Sequence, residues 1–151
     1  MERLIDIELV DLKVKAKDKK EAILSLAEIL DQAGRLNNKE EYVKSVLERE
    51  ELSTTGVGFG VAIPHGKTNA VKVPSLCFGR CAEKLEWESL DDKPVEVIFL
   101  IAVPENSDQD EHLHILAALS RKLMDKAFVE KIFKIQDKEQ IIKLLDGLLN
   151  K

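Results

Sequence analysis

Hydrophobic residues recur with two periods along the first third of the chain, and each period predicts a different element. Within residues 7–16 (IELVDLKVKA) apolar and polar positions alternate, as they do in a half-buried strand. Within residues 18–34 the apolar positions are three and four apart, which predicts an amphipathic helix. Asp18 is a suitable N-cap for this helix and Gly34 a suitable end, so we expect a strand followed by a helix.

A second helix is predicted over residues 37–51 (NNKEEYVKSVLEREE). Asn38 and Glu41 stand at the spacing of a capping box, which satisfies backbone N–H groups at the start of a helix. The apolar stripe of this helix consists of Tyr42, Val43, Val46 and Leu47. A single stripe of this kind is typical of a helix that buries one side and exposes the other.

Shorter apolar segments replace the helical period after the second helix. Residues 60–63 (GVAI) and 75–82 (SLCFGRCA) are typical of short strands. Residues 95–103 (VEVIFLIAV) are almost continuously apolar between Pro94 and Pro104. Such a segment indicates a central strand that is covered on both faces.

Three more helices are predicted in the last third of the chain. They cover residues 107–125, opened by Ser107, then residues 126–135, and finally residues 137–150. Because strands and helices alternate without an internal repeat or linker, residues 1–151 are predicted to form a single α/β domain. In this fold class a central β-sheet is flanked by helices on both faces.

Composition and charge narrow the classes of partner. The net charge of -5 argues against nucleic acid and anionic lipid, because both attract a basic surface. No segment approaches the roughly 20 apolar residues that span a bilayer, so we expect a cytoplasmic protein without direct membrane insertion. Cys77 and Cys81 would face the same way on a strand. We expect two buried thiols there, with a disulfide or a metal pair as the alternatives.

Two of the three histidines, His112 and His114, lie close together in the predicted helix 107–125. We assign one face of this helix to Leu113, Leu116, Leu123 and Met124. At about 100° per residue His112 lies roughly 60° from the centre of that face and His114 on the far side. We therefore expect His112 to point toward the protein and His114 toward water, an arrangement that disfavours a zinc site using both.

The third histidine, His65, stands in the glycine-rich segment GVGFGVAIPHGKT. Pro64 fixes its own backbone and favours an extended Ile63, and Gly66 would allow a turn directly after the histidine. The glycines precede a strand instead of opening a helix, which argues against nucleotide binding. His65 is thus either an accessible general base or nucleophile, or a turn histidine without a chemical role.

The segment LEREELSTTGVGFGVAIPHGKT resembles the active-site region of the fructose/mannitol-type enzyme IIA domains of the bacterial phosphoenolpyruvate-dependent sugar phosphotransferase system. The family pattern runs from an arginine–glutamate pair (Arg49, Glu50) through a threonine–glycine turn (Thr55, Gly56) to the proline–histidine motif at residues 62–66. A histidine–leucine pair after a Val-Pro strand end, in AVPENSDQDEHLHILAALSRKL, resembles a second family feature. The resemblance covers nearly the whole chain.

This resemblance implies a mixed sheet and a phosphoryl relay that uses no metal and no organic cofactor. On the matching positions, His65 would accept phosphate from the phosphocarrier protein HPr and pass it to a cysteine of a IIB domain. His112 would be a second active-site histidine and Arg49 a cation facing the phosphate, unless Arg49 is only a surface residue. Thr55 and Gly66 are candidates for binding the phosphoryl group, with a turn cap as the alternative role of Thr55.

Three functions remain open at this stage. The first is a relay for uptake of a fructose-like sugar or hexitol, with association to a membrane IIC permease. The second is a nitrogen-related regulatory protein phosphorylated at the same histidine, and the third is a metal-dependent hydrolase. Residues 86–105 and 113–125 are closer to fructose-type domains, so we favour transport. Phe59 and Val61 would form a docking surface for the partners or belong to the core.

Overall fold

A computed structural model describes the backbone of residues 4–106 and 111–149 and the side chains of residues 4–106 and 113–146. The strands within these ranges are Val10–Val14 (β1), Gly56–Gly58 (β2), Val61–Ala62 (β3), His65–Thr68 (β4), Ser75–Leu85 (β5) and Val95–Pro104 (β6). The helices are Lys19–Gln32 (α1), Lys39–Leu52 (α2), Glu111–Lys122 (α3), Lys126–Lys134 (α4) and Lys138–Leu149 (α5). A short 3-10 helix, Ile7–Leu9, precedes β1.

The strands form one mixed sheet in the order β1-β5-β6-β3-β2, and β4 also pairs with β6. β5 and β6 are antiparallel, whereas β1 is parallel to β5, and β3 and β4 are parallel to β6. β6 is buried along its length except at Glu96, which is half-buried. The prediction of a covered central strand is therefore confirmed.

Helices cover both faces of this sheet, as the alternation of side chains along β5 shows. A Cβ atom at Gly79 would meet the side chain of Leu26 in α1. The next residue, Arg80, faces the other way, and its Nη1 donates to the backbone carbonyl of Ile132 in α4 at 3.2 Å. α2 packs beside α1, and α3 packs beside α5. The predicted fold class, with helices on both faces of a central sheet, is confirmed.

Local signals placed the first two helices correctly. The Asp18 carboxylate accepts a hydrogen bond from the N–H of Glu21 at 2.8 Å, and Gly34 has a φ of 77° just after α1. The Asn38 side chain accepts from the N–H of Glu41 at 3.1 Å at the start of α2. These caps satisfy N–H groups that a helix leaves without partners at its first turn.

The predicted inner face of α3 is wrong in part. Leu113 and Met124 are 51% and 77% exposed, whereas the buried residues among the described side chains of this helix are Ile115, Ala118 and Leu119. α3 ends at Lys122, so Met124 lies beyond the regular helix and its position does not follow the helical period. Ser107, the predicted first residue of this helix, lies outside the described residues.

The two cysteines are free and buried, as predicted. Burial raises the pKa of the Cys81 thiol to about 11 and raises that of Cys77 still further. Both thiols are therefore protonated and unreactive at neutral pH. No helix in the described part of the chain is long and apolar enough to cross a membrane.

Candidate functional site

The glycine-rich segment forms a β-hairpin that leads into His65. Gly58 of β2 pairs with Val61 of β3, so Phe59 and Gly60 form a two-residue turn. Phe59 has a φ of 62° and Gly60 a φ of 76°, the signs that a type I′ turn requires at both central positions. The glycines thus shape a hairpin between two strands and do not open a helix.

The backbone on either side of Pro64 is held by hydrogen bonds to two neighbouring segments. The N–H of Ile63 donates to the carbonyl of Thr55 at 2.9 Å, and the carbonyl of Pro64 accepts from the N–H of Ile101 at 3.0 Å. His65 follows as the first residue of β4, in register with Ile101 of β6. This half-buried histidine is therefore carried by backbone that is fixed on both sides.

The ring of His65 is oriented by its own chain. Its Nδ1 lies 3.0 Å from the carbonyl oxygen of Ile63. Because a carbonyl only accepts, Nδ1 must be the donor and carry the proton, which we assign from this geometry. In the neutral ring the lone pair is then on Nε2.

Gly66 does not make the turn that the sequence suggested. It lies inside the extended strand β4, and α2 packs directly over it. A Cβ atom here would lie 3.1 Å from the Val46 side chain and 3.2 Å from that of Tyr42. The glycine is used here for space and not for a turn: it allows a helix to pack closely on the strand, and its backbone needs no unusual φ. Its predicted role in phosphate binding stays a prediction.

The hydroxyl of Thr55 is turned toward the end of α2. Thr55 is buried, and both its N–H, at 2.9 Å, and its Oγ1 donate to the Glu50 carboxylate. These bonds fix the turn between α2 and β2, the second of the two roles left open by the sequence. The sequence predicts no role for Glu50, because a glutamate on a charged helix is typical of an exposed position. The only signal for it was its place beside Arg49 in the family pattern.

Arg49 and His65 come from elements that pack together, but their side chains start from different faces. α2 packs on β4 over Gly66, and alternation along the strand puts His65 on the opposite face. Arg49 is half-buried as a residue, and its guanidinium donates to the carbonyl of Ser53 at 3.0 Å. The structure therefore directs this cation toward the C-terminal end of its own helix, and its contact with phosphate stays a prediction.

The two other histidines differ in what the structure describes. His114 is exposed, as predicted. The backbone of His112 lies in the first turn of α3, but its side chain lies outside the described residues, so its inward orientation stays a prediction. Among the described residues, no cluster of three or more His, Cys, Asp or Glu side chains is arranged to hold a metal ion.

Of the two candidate docking residues beside the motif, one is buried and one is exposed. Val61 is fully buried and belongs to the core, whereas Phe59 is 55% exposed at the hairpin turn. Phe59 borders a groove of about 510 Å³ together with Phe133, Lys84 and Lys93. The Gly60 carbonyl accepts from the N–H of Glu96, near the start of β6, whereas His65 lies level with Ile101. Five residues of a strand separate these levels, so the groove lies roughly 16 Å along the sheet from His65.

The chain matches one family of known proteins over most of its length. The family model described as "Phosphoenolpyruvate-dependent sugar phosphotransferase system, EIIA 2" matches residues 3–147. The fructose-specific EIIA component of Haloferax volcanii is 41% identical to this chain over 135 residues, which is 89% of this chain and 87% of the relative.

Two solved structures share the fold over nearly all of the chain. The nitrogen regulatory protein IIA-Ntr from Neisseria meningitidis has a TM-score of 0.86 and 30% identity, with 94% of this chain and 96% of that chain covered. The complex of enzyme IIAMTL and phosphorylated enzyme IIBMTL from Escherichia coli matches with a TM-score of 0.80 and 27% identity. It covers 95% of this chain and 99% of the matched one.

Proposed function

Because the chain belongs to the EIIA type 2 family of the phosphoenolpyruvate-dependent sugar phosphotransferase system, we propose that it carries a phosphoryl group on Nε2 of His65 between two partner proteins. The observation that carries this proposal is the hydrogen bond from Nδ1 of His65 to the Ile63 carbonyl. It keeps the proton on one ring nitrogen and the nucleophilic lone pair on the other. The hydrogen-bonded backbone around Pro64 holds that lone pair in one direction, which favours in-line attack.

In the first step the donor is a phosphohistidine of HPr. Nε2 of His65 attacks the phosphorus, the N–P bond of the donor breaks, and its electron pair returns to the donor imidazole. The His65 ring then carries phosphate on Nε2 and a proton on Nδ1, so the ring becomes cationic. The Ile63 carbonyl dipole stabilises that cation through the same hydrogen bond.

In the second step a cysteine thiolate of a IIB domain attacks the same phosphorus, and the bonding electrons return to Nε2 of His65. Arg49 and His112 are proposed to stabilise the negative charge on the phosphoryl oxygens in both steps. For Arg49 this requires the guanidinium to leave Ser53, which the exposed end of α2 allows. Thr55 and Gly66 are further candidates for contacting the phosphoryl group.

Transport is the branch that we propose first. The relative from Haloferax volcanii is a fructose-specific component and covers most of the chain, and the matched Escherichia coli complex pairs a IIA protein with a phosphorylated IIB protein. A regulatory protein of the nitrogen branch is the second candidate, which the likeness to IIA-Ntr supports. His65 would be phosphorylated in both branches, so they differ in the next step: a transport relay passes the phosphoryl group to a IIB cysteine, whereas a regulatory protein acts by binding other proteins.

Phosphorylation of His65 is tested by incubating the protein with phosphoenolpyruvate, enzyme I and HPr. We expect acid-labile labelling of the wild-type chain and its loss in His65→Ala, because the substitution removes the nucleophile. His114→Ala is the matched control, since His114 is exposed on α3, and it should be labelled at the wild-type rate. Labelling of His65→Ala at the normal rate would mean that another residue accepts the phosphate.

The role of His112 is tested in the same assay. We expect His112→Ala to be labelled substantially more slowly than His114→Ala, because only His112 is proposed to touch the phosphoryl oxygens. Equal rates for these two variants would exclude His112 from the site.

The branch is tested by adding a purified IIB domain of the fructose type to the phosphorylated protein. A transport relay loses its label to the IIB cysteine, so the acid-labile label on His65 should decline as a thiophosphate forms. Retention of the label in the presence of a functional IIB domain would favour the regulatory branch.

A further inference from the structure

We infer that Glu50 is a positioning residue for His65, linked to it through Thr55 and Ile63. The inference rests on the proposed phosphorylation of His65, and it adds a residue that does not itself touch the phosphoryl group. Glu50 lies at the last turn of α2, next to Arg49, and is only 7% exposed. A buried carboxylate requires partners to offset its desolvation, and the identity of those partners indicates what it holds in place.

Both carboxylate oxygens of Glu50 bind donors from other segments. Oε2 accepts from the N–H of Thr55 at 2.9 Å and from the Nζ of Lys19, at the start of α1, at 3.3 Å. Oε1 accepts from the hydroxyl of Thr55. Glu50 therefore joins the beginning of α1, the end of α2 and the turn that follows it, and Lys19 balances its charge.

The chain of contacts continues from Thr55 to the His65 ring. The carbonyl of Thr55 accepts from the N–H of Ile63 at 2.9 Å, and the carbonyl of Ile63 accepts from Nδ1 of His65 at 3.0 Å. Each link constrains the next one, because Thr55 donates to Glu50 and accepts from Ile63, and Ile63 in turn accepts from His65. A change at Glu50 should thus reach the bond that keeps the proton on Nδ1.

Arg49, the neighbour of Glu50 in α2, is tied to the same turn in the unphosphorylated protein. Arg49 donates to the carbonyl of Ser53, and Glu50 accepts from Thr55, so two neighbouring helix residues close the same turn. The end of α2 and the strand leading to His65 are held as one unit by these bonds. Misplacing a reacting group by about 1 Å costs on the order of 100-fold in rate, which sets the scale of the expected effect.

The experiment uses Glu50→Gln, which keeps the size of the side chain but replaces one acceptor by an NH₂ donor that faces Thr55 or Lys19. Two quantities are measured on the whole chain: the rate of phosphorylation by phospho-HPr, and the ¹⁵N NMR shifts of the His65 ring nitrogens as a function of pH. We expect the rate to fall by about 10- to 100-fold and the Nδ1–H tautomer to become less dominant. Glu51→Gln is the matched control, because it removes a similar charge from an exposed neighbour. Its rate of phosphorylation should stay within about twofold of the wild type, and the Nδ1–H tautomer of His65 should stay as dominant as in the wild type.

Thr55→Val and Thr55→Ser give a second test that does not depend on Glu50→Gln folding. Thr55→Val removes the hydroxyl donor to Glu50 and should shift the His65 tautomer and slow phosphorylation, whereas Thr55→Ser keeps the hydroxyl and should restore both. A folded Glu50→Gln protein with wild-type rate and tautomer would overturn the inference. So would a Thr55→Val protein that is slow but has an unchanged tautomer, because Thr55 would then act on the phosphoryl group directly.

Failure of the proposed function would have a different signature. If the wild-type chain is not labelled on His65, the phosphoryl relay is wrong, but the tautomer of His65 in the unphosphorylated variants still decides whether Glu50 positions the ring. If His65 is labelled and the tautomer does not respond to Glu50 or Thr55, the relay stands and the positioning role fails.

Discussion

At the scale of single residues, Gly66 shows how a missing side chain brings a helix and the strand of the proposed nucleophile together. α2 approaches β4 so closely that a Cβ atom at Gly66 would contact Val46, Tyr42 and Ser45 at 3.1–3.3 Å. The hydroxyl of Tyr42 crosses to β6 and donates to the carbonyl of Ile101 at 2.8 Å. Burial raises the pKa of Tyr42, so this hydroxyl keeps its proton and remains a donor. The packing of α2 on β4 therefore leaves little room for even one methyl group at this position.

Gly66→Ala is expected to lower the free energy of unfolding by about 1–3 kcal/mol, the usual cost of overpacking a well-filled core. Equilibrium unfolding in urea, followed by circular dichroism, measures this quantity. The variant should also be phosphorylated more slowly, because α2 carries Arg49 and Glu50.

The contact with Val46 supplies an internal control for this prediction. If crowding is the cause, Gly66→Ala combined with Val46→Ala should lose less stability than the sum of the two single variants. Additive losses would show that the space between α2 and β4 has no part in the effect.

At the scale of elements, the β2–β3 hairpin places an aromatic residue where the backbone favours asparagine or glycine. Phe59 has a φ of 62°, a conformation that costs an ordinary L-residue roughly 1–2 kcal/mol. Its N–H donates to the Asp91 carboxylate at 3.3 Å, and its side chain is mostly exposed. The hairpin thus retains a residue with a strained backbone without burying its side chain.

Phe59→Asn is expected to raise the free energy of unfolding by about 0.5–1 kcal/mol, because it gives the turn the Asn-Gly pair that type I′ hairpins prefer. Urea unfolding of the purified variant measures the change. Val57→Asn, on the neighbouring strand, is the matched control and should not be stabilising. A loss of stability in Phe59→Asn would mean that the ring packs against Phe133 more tightly than its exposure indicates.

Elements differ in how far the sequence alone could predict them. The starts of α1 and α2 were predictable because Asp18 and Asn38 cap N–H groups only three residues away. The role of Gly66 was not, because it depends on a helix that ends fourteen residues earlier in the chain. Glu50 was missed for the same reason, since its burial arises only when the turn at Thr55 folds back over it. The role of His65 stays a prediction, which rests on its local motif and the family resemblance.

At the scale of the whole molecule, both faces of the sheet belong to one continuous apolar core, and the two cysteines lie within it. The Cys77 thiol is close enough to donate to the carbonyl of Leu26 in α1, at 3.8 Å. A thiolate in this apolar core would lose its hydration, and burial is therefore the main cause of the raised pKa values of both cysteines. Unfolding exposes both thiols to water and lowers their pKa values, so their ionisation is coupled to global stability.

The free energy of unfolding is expected to fall as the pH rises from 9 toward 11. The pKa of Cys81 is raised from 9.0 to about 11, so the unfolded chain releases this proton at lower pH than the folded one. The stabilisation is complete below pH 9 and is lost as the pH approaches the folded value. Cys77 and Tyr42 shift stability in the same direction. Urea unfolding at pH 7.5, 9 and 10 should show the decline in the free energy of unfolding. The double variant Cys77→Ala/Cys81→Ala should show a shallower decline, because Tyr42 is then the only one of these three groups that still titrates. An equally steep decline in the double variant would show that the thiols do not control alkaline stability.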